Sequence, residues 1–232
     1  RGFKAVMLAP GASAAKKVDI DGADADGVHW GLDFLRACRD DEKPEISGDV
    51  VVIGGGDVAV DAAISAKRLG AARVYMACLE SRDAMPAYPH NQKDAENEGV
   101  EFHCGFGPAR ILTEDGHVSG IELHACTRLK DEQGRFAPLF DADSTLHLAA
   151  SHVIFAIGQT PELSGFAGEV TVDRNRIVVN DVTFATSAWG IFAAGDAASG
   201  PASVVAAIAG GRECACSIDR MLKGADLTGE RG

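Results

Sequence analysis

The chain has 232 residues, enough for one large or two modest domains, each with its own core. Hydrophobic residues make up 46% and charged residues 24%, the balance of an ordinary globular protein, and the 27 glycines point to tight turns and close backbone approach. The formal net charge of -12 argues against a nucleic-acid binder, which needs a basic face, but still allows one dinucleotide held by backbone N–H groups.

Apolar runs reach only about eight residues, short of the roughly 20 of a membrane-crossing helix. The chain starts at Arg1 without a signal-peptide pattern and is expected to be cut from a longer polypeptide. The six cysteines (Cys38, Cys78, Cys104, Cys126, Cys214 and Cys216) form no C-x-x-C pair or metal-type cluster. They read as small semi-buried thiols in a reducing cytoplasm.

Residues 3–9, FKAVMLA, predict a short buried strand ending in Pro10-Gly11-Ala12. GVHWGLDFLRACRD predicts a helix whose apolar face carries Trp30, Leu32, Phe34, Leu35 and Cys38. The polar segment 40–47, with Pro44, is the expected linker into a new domain. From Asp49 the pattern is strand, turn, helix, strand: DVVVIGG, then VAVDAAISAKRLGA closed by Gly70, then ARVYMAC. The continuous apolar run suits a parallel strand covered on both faces.

Next come a loop SRDAMPAYPH, a helix NQKDAENEG and a strand VEFHCGF. ARILTE, VSGIELHACTRL and STLHLAASHVIFAIG follow as strand candidates, the last holding more than one element, with hairpin turns at Glu114-Asp115-Gly116 and Asp131-Glu132-Gln133-Gly134. The last part reads as short strands, a Gly-Asp turn and a long helix starting near Pro201, where a missing N–H costs nothing in a first turn.

The segment Gly54-Gly55-Gly56-Asp57-Val58-Ala59 fits G-x-G-x-x-A between an apolar strand and an apolar helix, the context that makes this motif informative. Gly54 permits the turn off the strand, Gly56 lets a pyrophosphate approach the backbone, and Ala59 lets helix and strand pack closely. The helix start offers free N–H groups and partial positive charge. Asp57 is the expected helix cap. Nucleotide choice is read at the end of the second strand, at Glu80-Ser81-Arg82. A carboxylate there accepts from both ribose hydroxyls and repels a 2′-phosphate, so Glu80 favours NADH, while Arg82 pulls toward NADPH.

GGGDVAVDAA, SRDAMPA, AIGQTPE and GIFAAGDAASGPASVVAAIAGGRECA together resemble the small (beta) subunit of glutamate synthase and its relatives, from about Phe3 to Leu222. S-R-x-x-M-P-A (Ser81, Arg82, Met85, Pro86, Ala87) is the most family-specific piece. The resemblance implies an α/β, glutathione-reductase-like architecture: a Rossmann-like NAD(P)-binding domain inserted into a partial FAD-binding domain. The domains would be 1–45 (part of the FAD domain), 46–158 (NAD(P)H) and 159–232 (the rest of the FAD domain). The strands ending at Gly11 and at Ile157-Gly158 would be the crossings.

The resemblance further implies that Gly195-Asp196 lies beside FAD, with Asp196 accepting from a ribitol hydroxyl. The helix start at Ala202, Ser203 and Val204 would face the flavin ring. Relatives carry an earlier FAD-type GxGxxG unit, often after cysteine-ligated iron–sulfur clusters; this chain has neither, so FAD would belong to the full-length protein. NADPH-using relatives carry an arginine pair where this chain has Leu79-Glu80. The implied activity is hydride transfer from NAD(P)H to FAD, then electron flow to an iron–sulfur domain or partner subunit, in the cytoplasm and with no catalytic acid or base. The rival readings are a non-catalytic nucleotide-binding or assembly module, and a thioredoxin-reductase-like disulfide reductase, which would need a redox cysteine pair.

Overall fold

In a computed structural model, described for residues 2–40, 43–166 and 168–229, the chain divides into two compact units. Ala15–Gly158 forms one, and Arg1–Ala14 with Gln159–Gly232 forms the other.

The Ala15–Gly158 unit is built on a five-stranded parallel sheet in the order 28–30, 152–155, 50–53, 74–78, 100–104. Val50–Ile53 and Val74–Cys78 are buried along their whole length. The sheet is covered on both faces, which is why these strands read as unbroken apolar runs. On one face the helix Asp57–Arg68 lays Ala59, Ala62, Ala63 and Ala66 against Val50, Val52 and Met76. On the other, Val51, Ile53, Tyr75 and Phe155 pack with Ile111, Ile121 and Leu123 of a three-stranded antiparallel sheet, Phe106–Glu114, His117–Lys130 and Phe136–Ala149.

Two expectations need correction here. GVHWGLDFLRACRD is not one helix: Val28–Trp30 is a strand parallel to His152–Phe155, and the helix is Gly31–Ala37. Trp30 stacks on Phe155 at 5.3 Å, so backbone pairing and ring packing outweigh the helical spacing of the apolar residues. Val28–Trp30 therefore belongs to this sheet, and the first passage between units falls at Ala14–Ala15 rather than in the polar stretch 40–47, of which Asp41 and Glu42 lie outside the described residues.

In the other unit, Val6–Leu8 pairs in parallel with Ile191–Ala193. Ala193 joins Leu163, Val170, Ile177 and Ala197 in a small core, and Phe192 and Ala194 pack with Cys214 of the helix Val204–Leu222. The strand expected to be buried at 3–9 is not: Val6 is 45% and Met7 38% exposed, since its only partner strand among the described residues is Ile191–Ala193. Among the described residues no helix is long and apolar enough to cross a membrane.

Candidate dinucleotide site

The strand order places Val74–Cys78 and Val100–Cys104 on one side of Val50–Ile53 and His152–Phe155, then Val28–Trp30, on the other. Ligands of open α/β sheets bind where the order reverses, beyond the carboxyl ends of the strands. Gly54-Gly55-Gly56 follows one of these two strands and Ala156-Ile157-Gly158 the other.

Gly54 has φ 140° and its N–H donates to the Ala77 carbonyl at 2.8 Å. Gly55 is walled in: a side chain there would meet Glu80 Oε2 at 3.0 Å, Cys78 Cβ at 3.1 Å and Pro86 Cδ at 3.2 Å. Gly56 is the opposite, with nothing within 4 Å of where a side chain would stand. That open approach to the backbone, at the start of a 12-residue helix, is what a pyrophosphate needs. Val58 and Ala59 follow in the first turn, and Ala59 is fully buried against the sheet.

Asp57 is not the cap. Gly56 holds that position, and Asp57 lies inside the first turn. Its Oδ1 accepts from the Tyr88 backbone N–H at 3.0 Å and from Asn91 Nδ2 at 2.8 Å. With the Ala87 N–H donating to the Gly55 carbonyl at 3.0 Å, this ties the S-R-x-x-M-P-A loop onto the glycine turn. One turn on, burial and the neighbouring Asp57 carboxylate push the Asp61 carboxyl above its usual range.

Glu80 reaches the glycine turn from the end of the second strand, its Oε2 standing 3.0 Å from where a Gly55 side chain would begin. Ser81 opens a short 3-10 turn, Arg82–Ala84. Arg82 points elsewhere, with its guanidinium paired to Glu96 at 2.5 Å and stacked 4.0 Å over the Phe102 ring. Ile157 is half-buried and packs against the antiparallel-sheet core, and the Gly158 carbonyl accepts from Lys16 N–H at 3.0 Å.

The other unit carries the remaining expected residues. Gly195 has φ 72° and open space where a side chain would stand, and Asp196 opens a short helix, its Oδ1 accepting from Ala202 N–H at 3.2 Å. The long helix begins at Val204, later than the expected Pro201: Gly200 at φ 88° ends the short helix, and Ser203 caps the long one by accepting from Ala206 N–H at 3.2 Å. At its start Val204 and Val205 are 76% and 75% exposed. An open Gly-Asp turn beside an apolar helix start fits the ring and ribitol end of a flavin. Its pyrophosphate would need a second glycine-rich strand–helix turn, and among the described residues that motif occurs once, at Gly54–Ala59.

One pair was invisible from spacing. Cys78 and Cys104 are aligned neighbours on parallel strands, with Sγ atoms 3.7 Å apart and Met85 Sδ 3.8 Å from Cys104. Burial, reinforced by the Cys104 thiol, pushes the Cys78 thiol up to about 12.

Fold and site together define an α/β dinucleotide-binding protein. The model of the pyridine nucleotide-disulphide oxidoreductases matches residues 2–211, and the chain belongs to that family. It is 38% identical over 231 residues to the NADP(+)-dependent formate dehydrogenase subunit beta of Moorella thermoacetica, covering 96% of this chain and 32% of that protein. It is 33% identical over 240 residues to the glutamate synthase [NADPH] small chain of Escherichia coli, covering 95% of this chain and 51% of that one. The chain thus spans 32% of the one relative and 51% of the other. Among solved structures it superposes on Mycobacterium tuberculosis FprA in complex with NADPH with a TM-score of 0.76 at 16% identity, over 95% of this chain and 63% of that one.

Proposed function

We propose that this chain is the pyridine-nucleotide-binding portion of an NAD(P)H-dependent flavoprotein oxidoreductase, with Gly54–Ala59 holding the nucleotide pyrophosphate. The observation that carries the reading is the open backbone at Gly56 on a helix start at the sheet's switch point. Glu80 and Ser81 border the ribose, while Arg82 beside them is turned onto Glu96. Gly195, Asp196, Ala202, Ser203 and Val204 form part of an FAD site completed in the full-length protein. When bound, FAD supplies the hydride-accepting ring, and an iron–sulfur domain or partner subunit takes the electrons onward. The chain's own groups bind, orient and tune charge; none serves as general acid or base. The free cysteines suit a cytoplasmic setting.

Within this reading the nucleotide is NADH. Glu80 stands over the glycine turn, and Arg82 is engaged by Glu96. The names of the two relatives favour NADPH instead, which makes the nucleotide preference the sharpest point to test. A disulfide-reductase role is disfavoured because the six cysteines include no C-x-x-C pair.

Three measurements test the function. The chain should enhance NADH fluorescence saturably, and should purify with little FAD; near-stoichiometric flavin absorbance would overturn the half-site reading. In the full-length protein, anaerobic NADH should bleach the flavin band within one turnover. Binding without bleaching would establish the non-catalytic module.

A further inference from the structure

Arg82 lies two residues past Glu80, whose carboxylate stands at the glycine turn, yet its guanidinium is turned onto the helix Pro89–Asn97. Nη2 donates to Glu96 Oε1 at 2.5 Å. Nη1 donates to Gln92 Oε1 and lies 3.1 Å from Met85 Sδ, while the guanidinium plane sits 4.0 Å above the Phe102 ring. The receptacle is itself fixed: Gln92 Nε2 donates to the Ala87 carbonyl at 2.7 Å, and Lys93 makes a second ion pair with Glu96 at 3.1 Å. Helix, aromatic face and amide together hold an arginine that is otherwise suited to a phosphate dianion.

We propose that Glu96 is a positioning residue for nucleotide specificity: it keeps Arg82 withdrawn from the ribose 2′-position, leaving Glu80 to face it alone. This rests on the ribose being read at Glu80. Losing Glu96 frees the guanidinium to rotate toward a 2′-phosphate, with no effect on a nucleotide that lacks one. Glu96 is itself part-exposed, so its hold is that of one surface ion pair plus the stacked ring.

The experiment is a double-mutant cycle on the full chain, with NADH and NADPH as probes at fixed ionic strength. Glu96→Gln should improve NADPH affinity by about threefold to fivefold, the size of one exposed ion pair, and leave NADH affinity unchanged. Glu96→Asp, which keeps the charge, should stay near wild type. In an Arg82→Ala background, Glu96→Gln should no longer shift the ratio. A shift of the same size without Arg82 would mean that Glu96 acts only by its own charge and would overturn the proposal. So would an unchanged ratio in Glu96→Gln when the wild type binds NADH. A wild type that binds neither nucleotide would instead defeat the underlying function.

Discussion

The carbonyl oxygen of Ala156 occupies the space that a side chain on Gly54 would fill: a Cβ there would lie 2.3 Å from it. The two strand ends that frame the nucleotide site thus meet through backbone, and the contact separates two glycines of one motif by role. Gly54→Ala forces both a clash and a φ of 140° on an L-residue, and should destabilise the Ala15–Gly158 unit by roughly 1–3 kcal/mol. Gly56→Ala meets no protein atom, so its urea midpoint should stay near wild type while NADH affinity falls at least about tenfold. Parallel losses of stability and binding in both variants would contradict this division.

Asp57 joins the motif helix to the loop behind it. Asp57→Ala removes the acceptor for Tyr88 N–H and Asn91 Nδ2 and should cost about 1–2 kcal/mol in urea unfolding; Asp57→Asn, which keeps an acceptor oxygen, should cost less. A purely electrostatic role would make the two variants equal.

His29 and His152 give the unit a pH dependence. His152 Nε2 accepts from Ser47 N–H at 3.4 Å, which leaves Nδ1 to donate to His29 Nε2 at 3.1 Å, so both rings are held neutral. Burial lowers both pKa values, with His152 lowering His29 further and Asp26 opposing. The unfolded chain then binds more protons than the folded one as pH falls past the ordinary histidine value of 6.5. Stability contributed by the neutral pair is therefore full above pH 6.5 and declines below it, until the folded values are passed. Urea midpoints measured from pH 7.5 down to pH 5 should fall, and His152→Gln should flatten the slope. A slope unchanged in that variant would remove the pair from the account.

The parts of this molecule legible in the sequence are those set by local pattern. The G-x-G-x-x-A turn, the buried strands at 50–53 and 74–78 and the alanine face of the motif helix all follow from spacing and side-chain size. Where short apolar runs can serve either period, tertiary pairing decides, as at Val28–Trp30, whose identity as a strand depends on a partner 125 residues away at the Val28 end. Asp57 is not the cap its position suggests, because its Oδ1 is taken by Tyr88 N–H and Asn91 Nδ2, 31 and 34 residues on. The Cys78–Cys104 contact and the Arg82–Glu96 pair are products of strand register and helix placement, which residue spacing does not encode.

The most direct test of the account is a titration of NADH and NADPH into the chain and into Glu80→Arg at one ionic strength. A carboxylate facing a phosphate dianion is repelled, and even about 1.4 kcal/mol is a tenfold preference. The wild type should bind NADH about tenfold more tightly than NADPH, and Glu80→Arg should reverse the order. Equal or tighter NADPH binding by the wild type would contradict the preference, an unchanged ratio in the variant would clear Glu80 of responsibility, and saturation by neither nucleotide would contradict the site itself.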